Sequence, residues 1–299
     1  MPMRYDAGEV ITAMITPMDK ERRVEYNQVE KLADYLADNG SDGILVAGTT
    51  GESPTLTHEE EFEILLSVKS IVGNRAKIIM GAGSNSTETA VETSKKVAAA
   101  GVDAILSVVP YYNKPSQKGL LAHFGEIAKA VDVPIILYNI PGRTGITMQP
   151  ETVAKLAKLY PNIVAVKQSM ADMEAVTELR RLCPEDFAIY SGDDSLTLPM
   201  LSLGAHGVIS VASHLVGNEM KSMIRNFKTG EIKAALNMHN RLFPLFRKLF
   251  MCPNPIPVKQ ALSKIGMCEN YVRRPLTEMD EDQIEELYNV LDKYCYEKV

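Results

Sequence analysis

The chain has no tryptophan, five histidines and four cysteines in 299 residues, and each scarcity closes a route. Cys183, Cys252, Cys268 and Cys295 are scattered and form no Cys-x-x-Cys pair. A disulfide framework or thiolate zinc site is therefore not expected, and the pattern suits reduced thiols in a cytoplasm. The first predicted strand lacks the His-x-His of a metal-dependent barrel enzyme, and His58, His123, His206, His214 and His239 do not cluster at strand ends. No metal site is predicted. No apolar stretch approaches the length of a membrane span, and Met1 to Asp6 lack the apolar core of a signal peptide. Basic charge is short as well: Lys+Arg 32 against Asp+Glu 38 gives a formal net charge of −6, which argues against nucleic acid as the main partner. What remains is 45% apolar and 23% charged, enough for one large domain or a barrel-sized domain with an appendage.

Short apolar runs alternate with amphipathic stretches as far as residue 229. The predicted strands are Val10–Thr16, Gly43–Val46, Lys77–Ala82, Ala104–Val108, Ile135–Tyr138, Ile163–Lys167, Ala188–Ser191 and Gly207–Ser210, each followed by a helical pattern. In the helix Glu59–Val72 the periodic positions are Phe62, Leu65, Leu66 and Lys69, and Thr57-His58-Glu59-Glu60 opens it as a capping box. Thr87–Ala100 stops at Gly101, a residue suited to a helix C-terminus. Units of roughly 25–35 residues have the size of a βα repeat. In series they predict an α/β fold, a closed (β/α)8 TIM barrel over residues 1–229. An open doubly wound sheet often carries a Gly-rich phosphate turn after its first strand, and Thr16-Pro17-Met18-Asp19 is not that turn. Residues 230–299 then read as an all-helical C-terminal extension. In it Glu231–Phe250 carries Leu236, Phe243, Phe246 and Phe250 at helical spacing, and Pro244 is expected to kink it. Pro253-Asn254-Pro255-Ile256-Pro257 reads as an extended connector, with helices near Val258–Gly266 and Asp280–Tyr294. This tail reads as structure or interface, without chemistry of its own.

Lys167 ends the apolar run Ile163-Val164-Ala165-Val166. Such a run reads as a strand buried on both faces, where a terminal lysine needs a reason. Amine chemistry on a carbonyl requires the neutral form, which apolar walls favour. The plainer alternative is a lysine that snorkels to solvent or pairs with a carboxylate.

In a barrel the chemistry sits at the C-terminal ends of the strands. After the second strand, Gly48-Thr49-Thr50-Gly51-Glu52-Ser53 offers two adjacent hydroxyls and backbone N–H groups suited to a small carboxylate, although such turns are common in any loop. After the fourth come Tyr111 and Tyr112, one for packing and one as a hydroxyl donor, or both as anchors of a subunit contact. Tyr138 ends the fifth strand, where a phenol can pass protons. Arg143 follows in a Pro-Gly turn and could grip a carboxylate, or be an ordinary surface arginine. After the seventh strand, Asp193-Asp194 reads as a helix N-cap with a first-turn acid rather than a cation site. Lys77 begins its strand and belongs to the opposite face. One strand-end lysine, hydroxyls, a phenol and an arginine suit imine chemistry on a 2-oxo acid.

Those motifs, with Pro110-Tyr-Tyr-Asn-Lys-Pro-Ser116, Tyr138-Asn-Ile-Pro-Gly-Arg-Thr-Gly145, Ser191-Gly-Asp-Asp194, Gly204-Ala-His-Gly-Val-Ile-Ser210 and Pro253-Asn-Pro-Ile-Pro-Val-Lys259, run over nearly the whole chain. The chain resembles the dihydrodipicolinate synthase family of pyruvate-dependent class I aldolases. The resemblance implies condensation of pyruvate with aspartate semialdehyde in lysine and diaminopimelate biosynthesis, with no metal or organic cofactor. It implies that Lys167 forms the Schiff base and that Tyr138 relays protons through Thr49 to Tyr112, which in this family a neighbouring subunit typically contributes. Thr50 would hold the pyruvate carboxylate, the Ile209 carbonyl would line the same site, and Arg143 would receive the carboxylate of aspartate semialdehyde. A cytoplasmic homo-oligomer, a dimer of dimers, is expected. Neuraminate lyases and 2-keto-3-deoxy sugar-acid aldolases share the lysine, the phenol and the Gly-x-Thr-Gly-Glu turn; Pro-Gly-Arg-Thr-Gly points to the synthase. Asn85, Tyr111, Ser53 and His58 are allosteric candidates. Thr89 stands where lysine-inhibited members carry a glutamate, and Glu61 replaces a histidine found in some of them, so feedback by lysine is expected to be weak or absent.

Overall fold

Eight apolar runs become eight short strands, separated by helices. A computed structural model describes residues 5–294; Cys295 and residues 1–4 lie outside the described residues. In chain order the elements are β1 (Val10–Ala13), α1 (Tyr26–Asp38), β2 (Gly43–Val46), α2 (His58–Val72), β3 (Lys77–Gly81), α3 (Thr87–Ala99), β4 (Ala104–Val108) and α4 (Gln117–Ala130). There follow β5 (Ile135–Asn139), α5 (Pro141–Thr144), α6 (Pro150–Leu159), β6 (Ile163–Gln168), α7 (Met173–Leu182), β7 (Ala188–Ser191), α8 (Thr197–Leu201) and β8 (Gly207–Ser210). Four helices complete the chain: α9 (Ser213–Lys228), α10 (Ile232–Lys248), α11 (Ile256–Lys264) and α12 (Glu281–Leu291). The strands lie side by side in chain order and close into a (β/α)8 barrel, β1-β2-β3-β4-β5-β6-β7-β8. Every residue of β1, β2, β5, β6, β7 and β8 is buried, as expected of parallel strands covered on both faces.

Two compact units make up the described residues: those up to Glu9 with Lys77–Ile209, and Val10–Ala76 with Ser210–Tyr294. In the first, Val108 pairs with Tyr138, Tyr138 with Lys167, Lys167 with Tyr190, and Tyr190 with Gly207. The register between β5 and β6 slips once, Ile135 facing Ile163 but Ile136 facing Ala165. Without that slip Val166 would face Tyr138; the irregularity brings Lys167 opposite it. Lys77 pairs with Asp103 at 3.0 Å at the start of β3, away from the strand's C-terminal end.

In the second unit, β1 stops at Ala13, short of the expected Thr16. The Ile15 N–H is taken by His214 Nε2 at 3.1 Å, which ends the strand pattern there. The capping box at Thr57 and Glu60 is present, but α2 buries Glu61, Ile64, Leu65, Val68 and Val72 and leaves Leu66 exposed. An inward-facing glutamate hid that stripe from a hydrophobic count. Helix α10 runs on through Pro244, and a departure from helical dihedrals occurs in α9, at Val216. Phe246 is buried, whereas Leu236, Phe243 and Phe250, spaced by sevens, are exposed. The expected proline connector is shorter than predicted, because α11 already begins at Ile256 with Pro257 in its first turn. Proline is tolerated there, where the missing N–H has no intrahelical acceptor.

Candidate functional site

Lys167 and Tyr138 are both buried, at 6% and 5% exposure, on neighbouring strands. The Lys167 Nζ lies 4.4 Å from the centroid of the Tyr138 ring, over its face. An amine and a phenol are thus held together by strand register, with little freedom to separate. The loop that follows β5 is tied down from the strand end: Asn139 Nδ2 donates to the Met148 carbonyl at 3.0 Å, and Asn139 Oδ1 accepts from the Met148 N–H at 3.0 Å. The same Nδ2 donates to Gln168 Oε1 at 3.1 Å, linking the residue after Tyr138 to the residue after Lys167. Arg143 lies inside this staple, on α5, where its N–H bonds the Ile140 carbonyl at 3.0 Å and its side chain is exposed.

Beyond β7, the Gly192 N–H donates to the Gln168 carbonyl at 2.8 Å. A Cβ on Gly192 would stand 1.7 Å from Ser169 Oγ and 3.1 Å from Lys167 Cε, so a side chain there would displace the Ser169 hydroxyl and crowd the lysine stem. Asp193 was expected to cap a helix, but its side chain makes no capping bond to the short 3-10 turn Asp194–Leu196. Burial instead pushes its carboxyl above the usual carboxylate range, and the charge of Lys167 acts in the opposite direction. Local cap patterns cannot register a partner on another strand.

In the second unit the turn after β2 is closed on itself. The N–H groups of Gly51 and Ser53 donate to the Gly48 carbonyl, and that of Glu52 to the Thr49 carbonyl. The N–H groups of Thr49 and Thr50 have no acceptor among the described residues. Ala47 and Glu52 flank the turn at φ 50 and 59, a region costly for residues with a Cβ and favoured where a site needs a particular backbone. The C-terminal segment braces it. Lys259, fully buried, donates to Glu52 Oε1 at 2.5 Å and to the Tyr271 carbonyl at 2.7 Å. Burial pulls the Lys259 amine below the ordinary lysine range, with Glu52 pulling it back. Glu52 Oε2 accepts from the Arg273 N–H at 2.8 Å, and the Arg273 guanidinium grips both Glu60 oxygens at 2.6 and 2.7 Å. That grip holds the Glu60 carboxyl below its usual range. Asn254 Nδ2 donates to Thr50 Oγ1 at 2.9 Å. Asn254 and Lys259 belong to the motif Pro253–Lys259, for which no role was expected, and Arg273 stands in no motif; a lysine within the apolar start of α11 was the available signal.

The other expected positions fall as follows. Ile209 is buried on β8. Tyr112 is 89% exposed at φ 71, and Tyr111 is 41% exposed. Asn113, beside them, donates to the Asn85 carbonyl at 2.8 Å, which brings the Asn85 and Tyr111 segments together. In the other unit Ser53 Oγ donates to Glu61 at 2.6 Å and His58 Nδ1 lies 3.1 Å from the same carboxyl. Burial raises the Glu61 carboxyl above its usual range despite both contacts. Among the described residues no group of three or more His, Cys, Asp or Glu could hold a metal ion, and no helix is long and apolar enough to cross a membrane.

A family model described as the dihydrodipicolinate synthetase family matches residues 6–294. A Synechococcus protein named 4-hydroxy-tetrahydrodipicolinate synthase is 53% identical over 286 residues, covering 96% of this chain and 93% of its own. One of the same name from Desulforamulus reducens is 50% identical over 287 residues, 96% of this chain and 97% of its own. The crystal structure of the dihydrodipicolinate synthase from Cyanidioschyzon merolae with lysine bound superposes with a TM-score of 0.95 at 50% identity, over 96% of this chain and 98% of that one.

Proposed function

The chain belongs to the dihydrodipicolinate synthetase family, and from that premise we propose that Lys167 is the amine that forms a Schiff base with pyruvate. The activity is the condensation of pyruvate with L-aspartate 4-semialdehyde to 4-hydroxy-tetrahydrodipicolinate, a lyase reaction of lysine and diaminopimelate biosynthesis. The observation that carries the mechanism is Lys167, buried at the end of β6 with its amine over the Tyr138 ring. The neutral amine adds to the pyruvate ketone, and loss of water leaves an iminium. Loss of a methyl proton gives the enamine, whose carbon attacks the aldehyde. The amino group of the adduct then closes on the imine carbon and releases Lys167. Tyr138 moves the protons, through Thr49 to Tyr112. Thr50, with its backbone, holds the pyruvate carboxylate, and the Ile209 carbonyl lines the same site. Arg143 takes the carboxylate of the semialdehyde with its planar fork, which favours this acceptor over a sugar acid or N-acetylneuraminate.

Tyr112 is 89% exposed in the left-handed region, which supports its use by a second copy of the chain. The smallest competent unit is then a dimer, and a dimer of dimers the expected assembly. The scattered cysteines support a cytoplasmic setting. Feedback by lysine is weak or absent: Thr89 offers no charge to a second amine, and Glu61 is already engaged by Ser53 and His58. Assay at millimolar lysine should show less than about twofold loss of activity; half-inhibition well below that concentration would overturn this reading. Treatment with pyruvate and borohydride should add a pyruvate-derived mass to the peptide containing Lys167. An active enzyme without that adduct would sink the mechanism. A coupled assay offering aspartate semialdehyde beside a sugar-acid panel should show turnover with the semialdehyde alone.

A further inference from the structure

The motif Pro253-Asn254-Pro255-Ile256-Pro257-Val258-Lys259 is a conspicuous stretch that the mechanism above leaves without work. It leads into α11, with Pro255 at the cap position and Pro257 in the first turn. Prolines on both sides restrict the backbone that carries Asn254, so its amide is presented from a stiff support. Asn254 and Thr50 are both buried, at 7% and 3% exposure, and 204 residues apart in sequence. The amide Nδ2 donates to Thr50 Oγ1 at 2.9 Å. Five residues on, Lys259 fixes Glu52 of the same turn through a buried ion pair at 2.5 Å.

A hydroxyl has one proton and two lone pairs. With the Asn254 amide occupying a lone pair, the Thr50 proton must point elsewhere, and no acceptor for it exists among the described residues. Thr50 is thereby set as a donor, beside its own unbonded N–H. Two donors with no acceptor of their own suit an acceptor-only anion such as a carboxylate. We propose that Asn254 is a positioning residue for the reaction: it aims the Thr50 hydroxyl proton at the carboxylate of the 2-oxo acid. The inference rests on the reading that Thr50 holds that carboxylate.

The test is the pyruvate dependence of borohydride trapping at Lys167, which needs no acceptor aldehyde, alongside steady-state kinetics of the full-length protein. Asn254→Ala should raise the half-saturating pyruvate concentration roughly five- to tenfold, the worth of one oriented hydrogen bond. The KM for aspartate semialdehyde and kcat should stay within about twofold, a split that general damage to the fold would not produce. Thr50→Val should act in the same direction, and the double variant should do no more than the worse single one. Asn254→Asp keeps the size but offers an acceptor, drawing the Thr50 proton away; it should raise the pyruvate requirement further than alanine does, and serves if the alanine variant fails to fold. If Thr50→Val weakens pyruvate binding and neither Asn254 variant does, the positioning role is wrong and the Thr50 reading stands. If Thr50→Val leaves pyruvate binding unchanged, the Thr50 reading fails and the inference falls with it.

Discussion

Lys167 and Lys259 are both buried, at 6% and 0% exposure, and the protein meets the cost of burying each amine differently. On α11, Lys259 has a carboxylate at 2.5 Å and a backbone carbonyl at 2.7 Å, so its charge is paired and its protons are assigned. At the end of β6, Lys167 has the face of an aromatic ring and, among the described residues, no carboxylate within ion-pair distance. An amine in the first setting would have to abandon two strong bonds to become a nucleophile, whereas one in the second gives up only a cation–π contact. Burial alone therefore does not mark a reactive lysine. What surrounds the nitrogen does.

Substitution of the two lysines should separate chemistry from stability. Lys167→Ala should lower kcat by at least about four orders of magnitude and abolish the borohydride adduct, with denaturant unfolding little changed. Lys259→Ala should do the reverse. Removing one partner of a buried pair leaves the Glu52 carboxylate uncompensated and should cost about 3–5 kcal/mol in denaturant unfolding, while the molecules that remain folded still trap pyruvate. Lys259→Met combined with Glu52→Gln should recover most of that loss, because no unpaired charge remains. If the double variant is as unstable as the single one, the pair contributes geometry rather than charge balance, and the contrast between the two lysines weakens.

The difference between the two settings also explains what could be read before the fold was known. Strands buried on both faces leave uninterrupted apolar runs, so β2, β4, β7 and β8 fall at their predicted bounds, and a lysine at the end of such a run stood out. Lys259 did not, because its partner is 207 residues away and the helical pattern of α11 explains a lysine without it. Asp193 stands at the expected N-cap position with Asp194 in the first turn, but without a capping bond, and only the placement of β6 beside β7 sets it near Lys167. Glu61 broke the apolar stripe of α2 because its partners are Ser53 and His58, polar groups in the preceding turn and first helical residue. The register slip at Ile135 and Ile136, which aligns Lys167 with Tyr138, leaves no composition signal at all.

Within the region of Lys167, Arg143 should sharpen the comparison by dividing imine formation from acceptor capture. Arg143→Ala should lower kcat/KM for aspartate semialdehyde about a hundredfold while leaving trapping of pyruvate at Lys167 within about twofold. Equal loss of both would place Arg143 in the support of the loop rather than on the substrate, alongside the Asn139–Met148 staple.

The smallest effect lies in the unit of Lys259 and turns on pH. His214 is fully buried; its Nδ1 donates to the Val211 carbonyl at 2.8 Å and its Nε2 accepts from the Ile15 N–H at 3.1 Å. Both bonds require the neutral ring with its proton on Nδ1. Desolvation lowers its value from 6.5 to about 4. Because the folded value lies below the unfolded one, the unfolded chain takes up a proton first as the pH falls. The contribution of His214 is therefore complete above about pH 6.5 and is lost progressively toward pH 4, about 2 kcal/mol of it between pH 7 and pH 5. Unfolding free energies at those two pH values should differ by more in the wild type than in His214→Gln, whose side chain does not titrate. His123, also lowered to about 4 by burial, adds a loss of the same sign that the substitution leaves in place. An unchanged pH dependence in His214→Gln would mean that the ring accepts a proton without unfolding, and that this unit, unlike the tightly paired Lys259, can accommodate a new buried charge.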